Sequence, residues 1–412
     1  MEYAHILIIG AGQAGGQLAR SLLAPELGFQ DSVTLVGEES HLPYERPPLS
    51  KAALKDVAGE EDVFTLPPET FEHPQVSLIR GDRVTALDPA SHEARLASGR
   101  RISFGKAVLA TGGQPAALPI PGADLCVGLR TLDDARALRD RLRPGVRLVL
   151  LGGGVIGMEV AATAREKGAD VTVIEAGPRI MARCLPPSGS AWLEDRHAEA
   201  GTLLRKATCA DRIEKTGAGF TVQLSDGTTL DADLVLAATG IRPATALAPA
   251  HTTGESGGIL TDALGAVQGV PDLYALGDVA ECHNGHLGRP QRLETWRNAD
   301  RHAKALAQTL AGTPTPHVEI PWMWTDQLGH NIQVFGLYSP DAFEVLRGPV
   351  GAPGSAVLWQ QDGILTGGML IDNRRDRRPL EQLVEARLAL PPDLLADPSI
   401  SLKSLLKGSI PA

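Results

Sequence analysis

The chain is poor in cysteine, poor in aromatic residues and carries no basic excess. Its 412 residues hold four cysteines, Cys126, Cys184, Cys209 and Cys282, with no Cys-x-x-Cys pair among them. That leaves no disulfide framework, zinc ribbon or dithiol redox motif, and scattered thiols are expected of a reducing cytoplasm. Lys and Arg number 39 against 49 Asp and Glu, a formal net charge of −10. Without a positive balance to neutralise phosphates, nucleic-acid binding is not expected. No apolar run approaches the roughly 18–20 residues of a membrane span. The opening MEYAHILIIG has no basic region before its apolar residues, so no signal peptide is expected. His283 and His286 fall in an expected loop and lack metal-ligand spacing, so no metal is expected. No nucleophile triad is legible either.

What is present is glycine, 45 residues of it, in an otherwise ordinary composition of 43% hydrophobic and 21% charged residues. The length allows two or three domains with their own cores. HILIIGAGQAGGQLARSLL reads as an apolar strand, a Gly-x-Gly-x-x-Gly turn and a helix. Gly10 permits the tight turn, Gly12 lets a pyrophosphate approach the backbone, and Gly15 lets helix and strand pack closely. The helix start offers N–H groups and a partial positive charge to that phosphate. A second strand, VTLV, is followed by Glu38, placed to accept hydrogen bonds from a ribose diol.

The device recurs. RLVLLGGGVIGMEVAATAREKG repeats it with Gly152, Gly154 and Gly157, and VTVIE ends in Glu175, about 23 positions after the first glycine. RLASGRRISFGKAVLATGGQPA, from Arg95, aligns without a gap on QLSDGTTLDADLVLAATGIRPA, from Gln223. Each half therefore reads as a βαβ unit plus a hairpin layer that returns the chain to a parallel sheet. Two nucleotide folds imply two nucleotides.

PYERPPLSK, from Pro43 to Lys51, is a stiff turn, because neither proline offers an N–H to a helix or sheet. Together with GIRP, YALGDVA, GGGVIGMEVA, RLETW and the late PWMWTDQ, it resembles the NADH-dependent ferredoxin reductases of Rieske-type dioxygenases and cytochrome monooxygenases. Those proteins belong to the two-dinucleotide-binding-domain flavoprotein superfamily. The resemblance implies an α/β, glutathione-reductase-like fold of two Rossmann-like domains plus a C-terminal α+β domain. It places FAD on 1–112 and 243–318, NADH on 113–242, and an interface domain on 319–412. The implied reaction moves electrons from NADH through FAD to a 2Fe-2S ferredoxin, in aromatic-hydrocarbon catabolism.

By the same resemblance, FAD is expected at Gly10, Gly12, Ala14, Gly15, Glu38, Arg46, Lys51, Val84, Ala110, Thr111, Gly112, Asp278 and Trp296. Asp278 is expected near a helix start. NAD is expected at Gly152, Gly154, Val155, Ile156, Gly157, Glu159, Glu175, Arg183, Gly240 and Ile241. Glu159, on the first turn of the second dinucleotide helix, is expected to contact Lys51. These two residues and Trp296 would be the catalytic set. Glu175 favours NADH over NADPH, although Arg179 and Arg183 lie downstream. Arg374, Arg375, Arg377 and Arg378 form a basic cluster suited to an acidic ferredoxin.

Thiol-using relatives place cysteine where this chain has HLPYERPPLSK, so thiol chemistry is not expected. A rubredoxin or ferric-chelate reductase is the near alternative. The more distant one is a non-catalytic redox-sensing flavoprotein resembling apoptosis-inducing factor.

Overall fold

The computed structural model describes residues 2–55 and 66–406. They pack as two compact units. One takes the described residues of Met1–Pro47, Gly59–Gln114 and Ile241–Glu319, and the other those of Pro48–Ala58, Pro115–Gly240 and Ile320–Ala412.

In the first unit the apolar run Glu2–Ile9 is a central strand, parallel to Val33–Gly37 on one side and to Arg101–Leu109 on the other. Val76–Arg80 extends the sheet beyond Val33–Gly37, and Leu273–Ala275 runs parallel to Arg101–Leu109. The antiparallel hairpin Val84–Asp88 and Glu93–Leu96 is continuous with the same sheet through the amino end of Arg101–Leu109. Two helices cover one face. Gln13–Leu22 buries Leu18, Ala19 and Leu22. Trp296–Leu310 buries Ala299, Ala303, Leu306, Ala307 and Leu310, the spacing of a single helical stripe. The strand order changes direction at Glu2–Ile9, and in open parallel sheets ligands bind at the carboxyl ends of strands beside such a switch.

The second unit repeats the parallel core, in the order Leu203–Arg205, Asp170–Ile174, Arg147–Leu151, Leu234–Ala237. Its helix Val155–Glu166 is buried from Gly157 to Ala164, where small Ala and Gly side chains let it lie close to its surroundings. The hairpin layer differs between the two halves. Here Ala210–Thr216, Gly219–Leu224 and Thr229–Ala232 form a separate antiparallel sheet. The chain breaks pairing at Asp233, whose carboxylate takes the Arg147 backbone N–H (2.9 Å) and its guanidinium (2.8 Å).

Residues from Trp322 onward build an antiparallel sheet ordered Trp322–Gln327, His330–Gly336, Ile364–Ile371, Ala356–Gln361, Phe343–Arg347. Leu380, Leu383 and Val384 of helix Arg377–Ala386 are buried in its core. The Arg347 guanidinium donates to the carbonyls of Leu395 (3.0 Å), Asp397 (2.6 Å) and Ile400, which ties down the last turns. Among the described residues, no helix is long and apolar enough to cross a membrane.

Candidate functional site

In the first unit the foreseen flavin residues collect at the carboxyl ends of the parallel strands. Gly10 follows Glu2–Ile9 with φ of 113°, and a Cβ there would stand 2.3 Å from the Ala110 carbonyl oxygen. Gly15 is tighter still, its Cβ position 1.9 Å from the Gly10 oxygen. Gly12 caps helix Gln13–Leu22 without a side-chain bond, and the space its Cβ would take is open. A helix start whose N–H groups face open space over a glycine is a cradle that fits a pyrophosphate. Ala14 lies on that first turn, buried against Gly277, whose Cβ position would be 2.8 Å from the Ala14 Cβ. Ala110 continues the neighbouring strand, Thr111 donates its hydroxyl to the Ala244 carbonyl at 2.7 Å, and Gly112 adopts φ of 62°. Val84 opens its strand two residues after Asp82, whose N–H reaches the Gly37 carbonyl (3.2 Å).

Several placements differ from expectation. Asp278 does not begin an α-helix. It sits in a three-residue 3₁₀ turn, Gly277–Val279, that leads into strand Ala280–Asn284, because AECHN finds antiparallel partners in Arg289–Gln291. His283 is on that strand and His286 in the turn after it, rather than both in a loop. Glu38 lies just past Val33–Gly37 with a side chain 67% exposed, 3.9 Å from Arg83. Its neighbour Glu39 is the engaged carboxylate, accepting from Arg46 at 2.9 Å and from the Tyr44 hydroxyl. Trp296 starts helix Trp296–Leu310, beside Glu45. Burial raises the Glu45 pKa, Trp296 opposes the shift and Asp300 adds to it.

The second unit repeats the cradle. Gly152 has φ of 111°, with its Cβ position 2.5 Å from the Ala238 oxygen, and that of Gly157 is 2.1 Å from the Gly152 oxygen. Gly154 caps Val155–Glu166 with no side-chain bond and open space above it. Val155 and Ile156 are the first two helical residues, and Ile156 is exposed. Gly240 (φ of 97°) and Ile241 follow strand Leu234–Ala237. Glu175 follows strand Asp170–Ile174, and its two oxygens accept from the N–H groups of Gly153 (2.7 Å) and Gly177 (2.6 Å). Carboxylate oxygens accept more than once, so capacity for a ribose diol remains. Arg179 is committed to the Leu185 and Ala182 carbonyls and to Ser190. Arg183 is exposed, with its guanidinium 3.9 Å from where a Cβ on Gly240 would be.

Lys51 and Glu159 are brought together, Nζ lying 2.7 Å from Oε1. Glu159 is the fifth residue of its helix, so it opens the second turn instead of lying on the first. It is 2% exposed and also accepts from the hydroxyls of Thr325 (2.6 Å, Oε1) and Ser50 (Oε2). Pro47 and Pro48 start a 3₁₀ turn, Pro47–Ser50, which delivers Ser50 and Lys51 to the helix. The Thr163 hydroxyl donates to the Ser50 carbonyl (3.0 Å), and Lys167 Nζ donates to the Leu54 carbonyl (3.0 Å). Residues 159, 163 and 167 recur every fourth position, one helix face. On its other side Lys51 Nζ lies 5.8 Å from the Trp324 ring, which stacks on Trp322 (5.2 Å), over which Arg377 sits at 4.9 Å.

Arg374, Arg375, Arg377 and Arg378 are all exposed. Arg377 and Arg378 are the first residues of their helix, where the macrodipole disfavours cations. Sequence reasoning missed Ser50, Thr325 and Trp324. The available signal was PWMWTDQ: on a strand, Met323, Thr325 and Gln327 share one face, and two polar side chains on a buried face imply a polar network.

Two glycine cradles on two parallel sheets define a dinucleotide-handling oxidoreductase. Residues 4–303 match the family of pyridine nucleotide-disulphide oxidoreductases, and 322–406 match the reductase C-terminal domain. The chain belongs to that oxidoreductase family. The benzene 1,2-dioxygenase system ferredoxin–NAD(+) reductase subunit of Pseudomonas putida is 35% identical over 408 residues, 98% of each chain. A ferredoxin reductase for the CYP199A2 system from Rhodopseudomonas palustris superimposes with a TM-score of 0.92 at 34% identity, over 98% of this chain and 100% of that one. The reductase in a covalent putidaredoxin reductase–putidaredoxin complex gives 0.92 at 32% identity, over 98% and 99%.

Proposed function

We propose that this chain is the reductase of an oxygenase system, passing electrons from NADH through FAD to a 2Fe-2S ferredoxin. The observation that carries this reading is the duplicated glycine cradle, in a chain alike over nearly its whole length to ferredoxin reductases. FAD belongs to 1–112 and 243–318, NADH to 113–242, and 319–412 is the interface domain. Breaks between compact units at 114/115, 240/241 and 319/320 support those boundaries, while the described residues of Pro48–Ala58 and Ile320–Ala412 pack in one unit with Pro115–Gly240. Four free cysteines support a cytoplasmic location.

When bound, FAD accepts a hydride from NADH and releases electrons singly. The protein's part is position and charge. Amides at Gly12, Ala14 and Gly15 hold the FAD pyrophosphate, with Glu38, Arg46, Val84, Ala110, Thr111, Gly112, Asp278 and Trp296 placing the remainder. The Gly154–Gly157 turn holds NADH beside Gly152, Gly240, Ile241 and Arg183. Glu175 takes the ribose diol and repels a 2′-phosphate, and the commitment of Arg179 to backbone carbonyls strengthens the preference for NADH. Lys51, oriented by Glu159, would supply a positive charge that favours the more negative, reduced form of the cofactor.

The test is steady-state NADH oxidation with a panel of 2Fe-2S ferredoxins and rubredoxins. Ferredoxins should support turnover and rubredoxins should not. Preference for rubredoxin, or no turnover with any carrier and a long-lived charge-transfer band, would overturn the assignment.

A further inference from the structure

A line of buried polar side chains leads away from Glu159. Thr325 Oγ1 is 2.6 Å from Glu159 Oε1, and Gln327 Nε2 is 2.9 Å from Thr325 Oγ1. Gln327 Oε1 is 2.9 Å from His197 Nε2, and His197 Nδ1 is 3.3 Å from Thr202 Oγ1. Every member from Glu159 to Thr202 is at most 3% exposed. Helix Val155–Glu166, strand Trp322–Gln327 and helix Pro187–Glu199 contribute, together with the turn after that last helix, which holds Thr202.

Chemistry fixes the direction of each hydrogen. A carboxylate only accepts, so the Thr325 hydroxyl hydrogen goes to Glu159 and its oxygen must accept from an amide N–H. That turns the Gln327 nitrogen toward Thr325, with Met181 Sδ also 3.6 Å away, and its oxygen toward His197. His197 Nε2 therefore donates, and Nδ1 accepts from Thr202. Burial lowers the His197 pKa, with the Gln327 bond opposing, which agrees with a neutral ring. All donors in the line point the same way, and the line ends on the oxygen that holds Lys51.

We infer that His197 is a positioning residue of the hydride-transfer site, fixing the Glu159 carboxylate on Lys51 through Gln327 and Thr325. This rests on the reading of the Lys51–Glu159 pair given above. Without the Nε2–H, the Gln327 amide is free to turn over. Its oxygen then competes with Glu159 for the Thr325 hydroxyl, and Oε1 loses its fixed donor.

The test uses the FAD-loaded enzyme and stopped-flow reduction by NADH. His197→Leu should lower the limiting rate about tenfold with the NADH dissociation constant unchanged, while His197→Gln, which keeps an N–H donor, should stay within about twofold of wild type. In a Glu159→Gln background, His197→Leu should add nothing further. Equal slowing by Leu and Gln, or full additivity with Glu159→Gln, overturns the inference. If Glu159→Gln is slow and His197→Leu is not, only this inference falls. If Glu159→Gln itself has no effect, the reading of the pair falls with it. Gln327→Met carries the same expectation should His197→Leu not fold. Independently of activity, ¹⁵N NMR of histidine-labelled protein, assigned by the signal lost in His197→Gln, should show a neutral Nε2–H tautomer. An Nδ1–H tautomer overturns the inference.

Discussion

Thr325 gives its hydroxyl hydrogen to the same Glu159 oxygen that Lys51 Nζ touches, at 2.6 and 2.7 Å respectively. One buried oxygen thus joins the C-terminal sheet to the PPLSK turn, and charge and orientation there stand or fall together. Glu159→Gln should slow flavin reduction by NADH about ten- to hundredfold. Lys51→Met should slow it similarly and also cost about 3 kcal/mol in urea unfolding, since it leaves a buried carboxylate without its cation. Unchanged reduction rates in both variants would dismiss the pair's role.

The glycines separate into two kinds. Gly15→Ala and Gly157→Ala force a methyl to 1.9 and 2.1 Å from backbone oxygens, so both should lower the melting temperature sharply. Gly12→Ala and Gly154→Ala meet open space and should fold. Gly12→Ala should weaken FAD retention on gel filtration, and Gly154→Ala should raise the Michaelis constant for NADH alone.

Coenzyme preference follows from Glu175 and Arg179. The ratio of kcat/KM for NADPH over NADH should lie well below one. Arg179→Ala should leave that ratio in place, because the side chain serves the Leu185 and Ala182 carbonyls. A rise in NADH preference in that variant would show that Arg179 reaches the coenzyme after all.

The arginine cluster separates binding from stability. Arg374→Glu with Arg375→Glu should raise the Michaelis constant for ferredoxin about tenfold in dilute buffer, fading at high salt, with NADH unaffected. Arg378→Glu should weaken docking while stabilising its helix start by about 0.5 kcal/mol. Equal effects at low and high salt would count against electrostatic docking.

Acid should loosen the first unit. His302 and His317 stack face to face at 4.4 Å, and His317 Nε2 is 2.8 Å from Asn298 Oδ1. Burial, with the Arg301 charge adding, pushes His317 down to about 4, and burial also lowers His302, with His317 adding. Between pH 6.5 and 4 the unfolded chain binds a proton that folded His317 refuses, so stability is full above 6.5 and falls as pH drops. His317 accounts for about 3 kcal/mol of that loss. Urea unfolding of His317→Gln across this window should show a flatter slope; an unchanged slope would refute the assignment.

The cradles were legible because three signals coincided at each: glycine spacing, an apolar strand, and an acid at the end of the next strand. Lys51 and Glu159 were paired through the resemblance that PPLSK and GGGVIGMEVA carried. The hydroxyls that complete the Glu159 site lie within quoted motifs, Ser50 in PPLSK and Thr325 in PWMWTDQ, but they meet Glu159 across 109 and 166 positions, which neither motif signals. Asp278 was misread for a physical reason: Gly-Asp signals a helix start, but the strand pairing of the residues after it prevails over that local signal.

Glu175 has a consequence for how such a reductase changes over time. Its carboxylate holds the amides of Gly153 and Gly177, so the residue proposed to select the coenzyme also braces two turns. Losing the acid to admit a 2′-phosphate would slacken both loops before any benefit appeared. A lineage drifting toward NADPH would need compensating changes in those loops first, which makes the specificity an epistatic lock and not a single-residue choice.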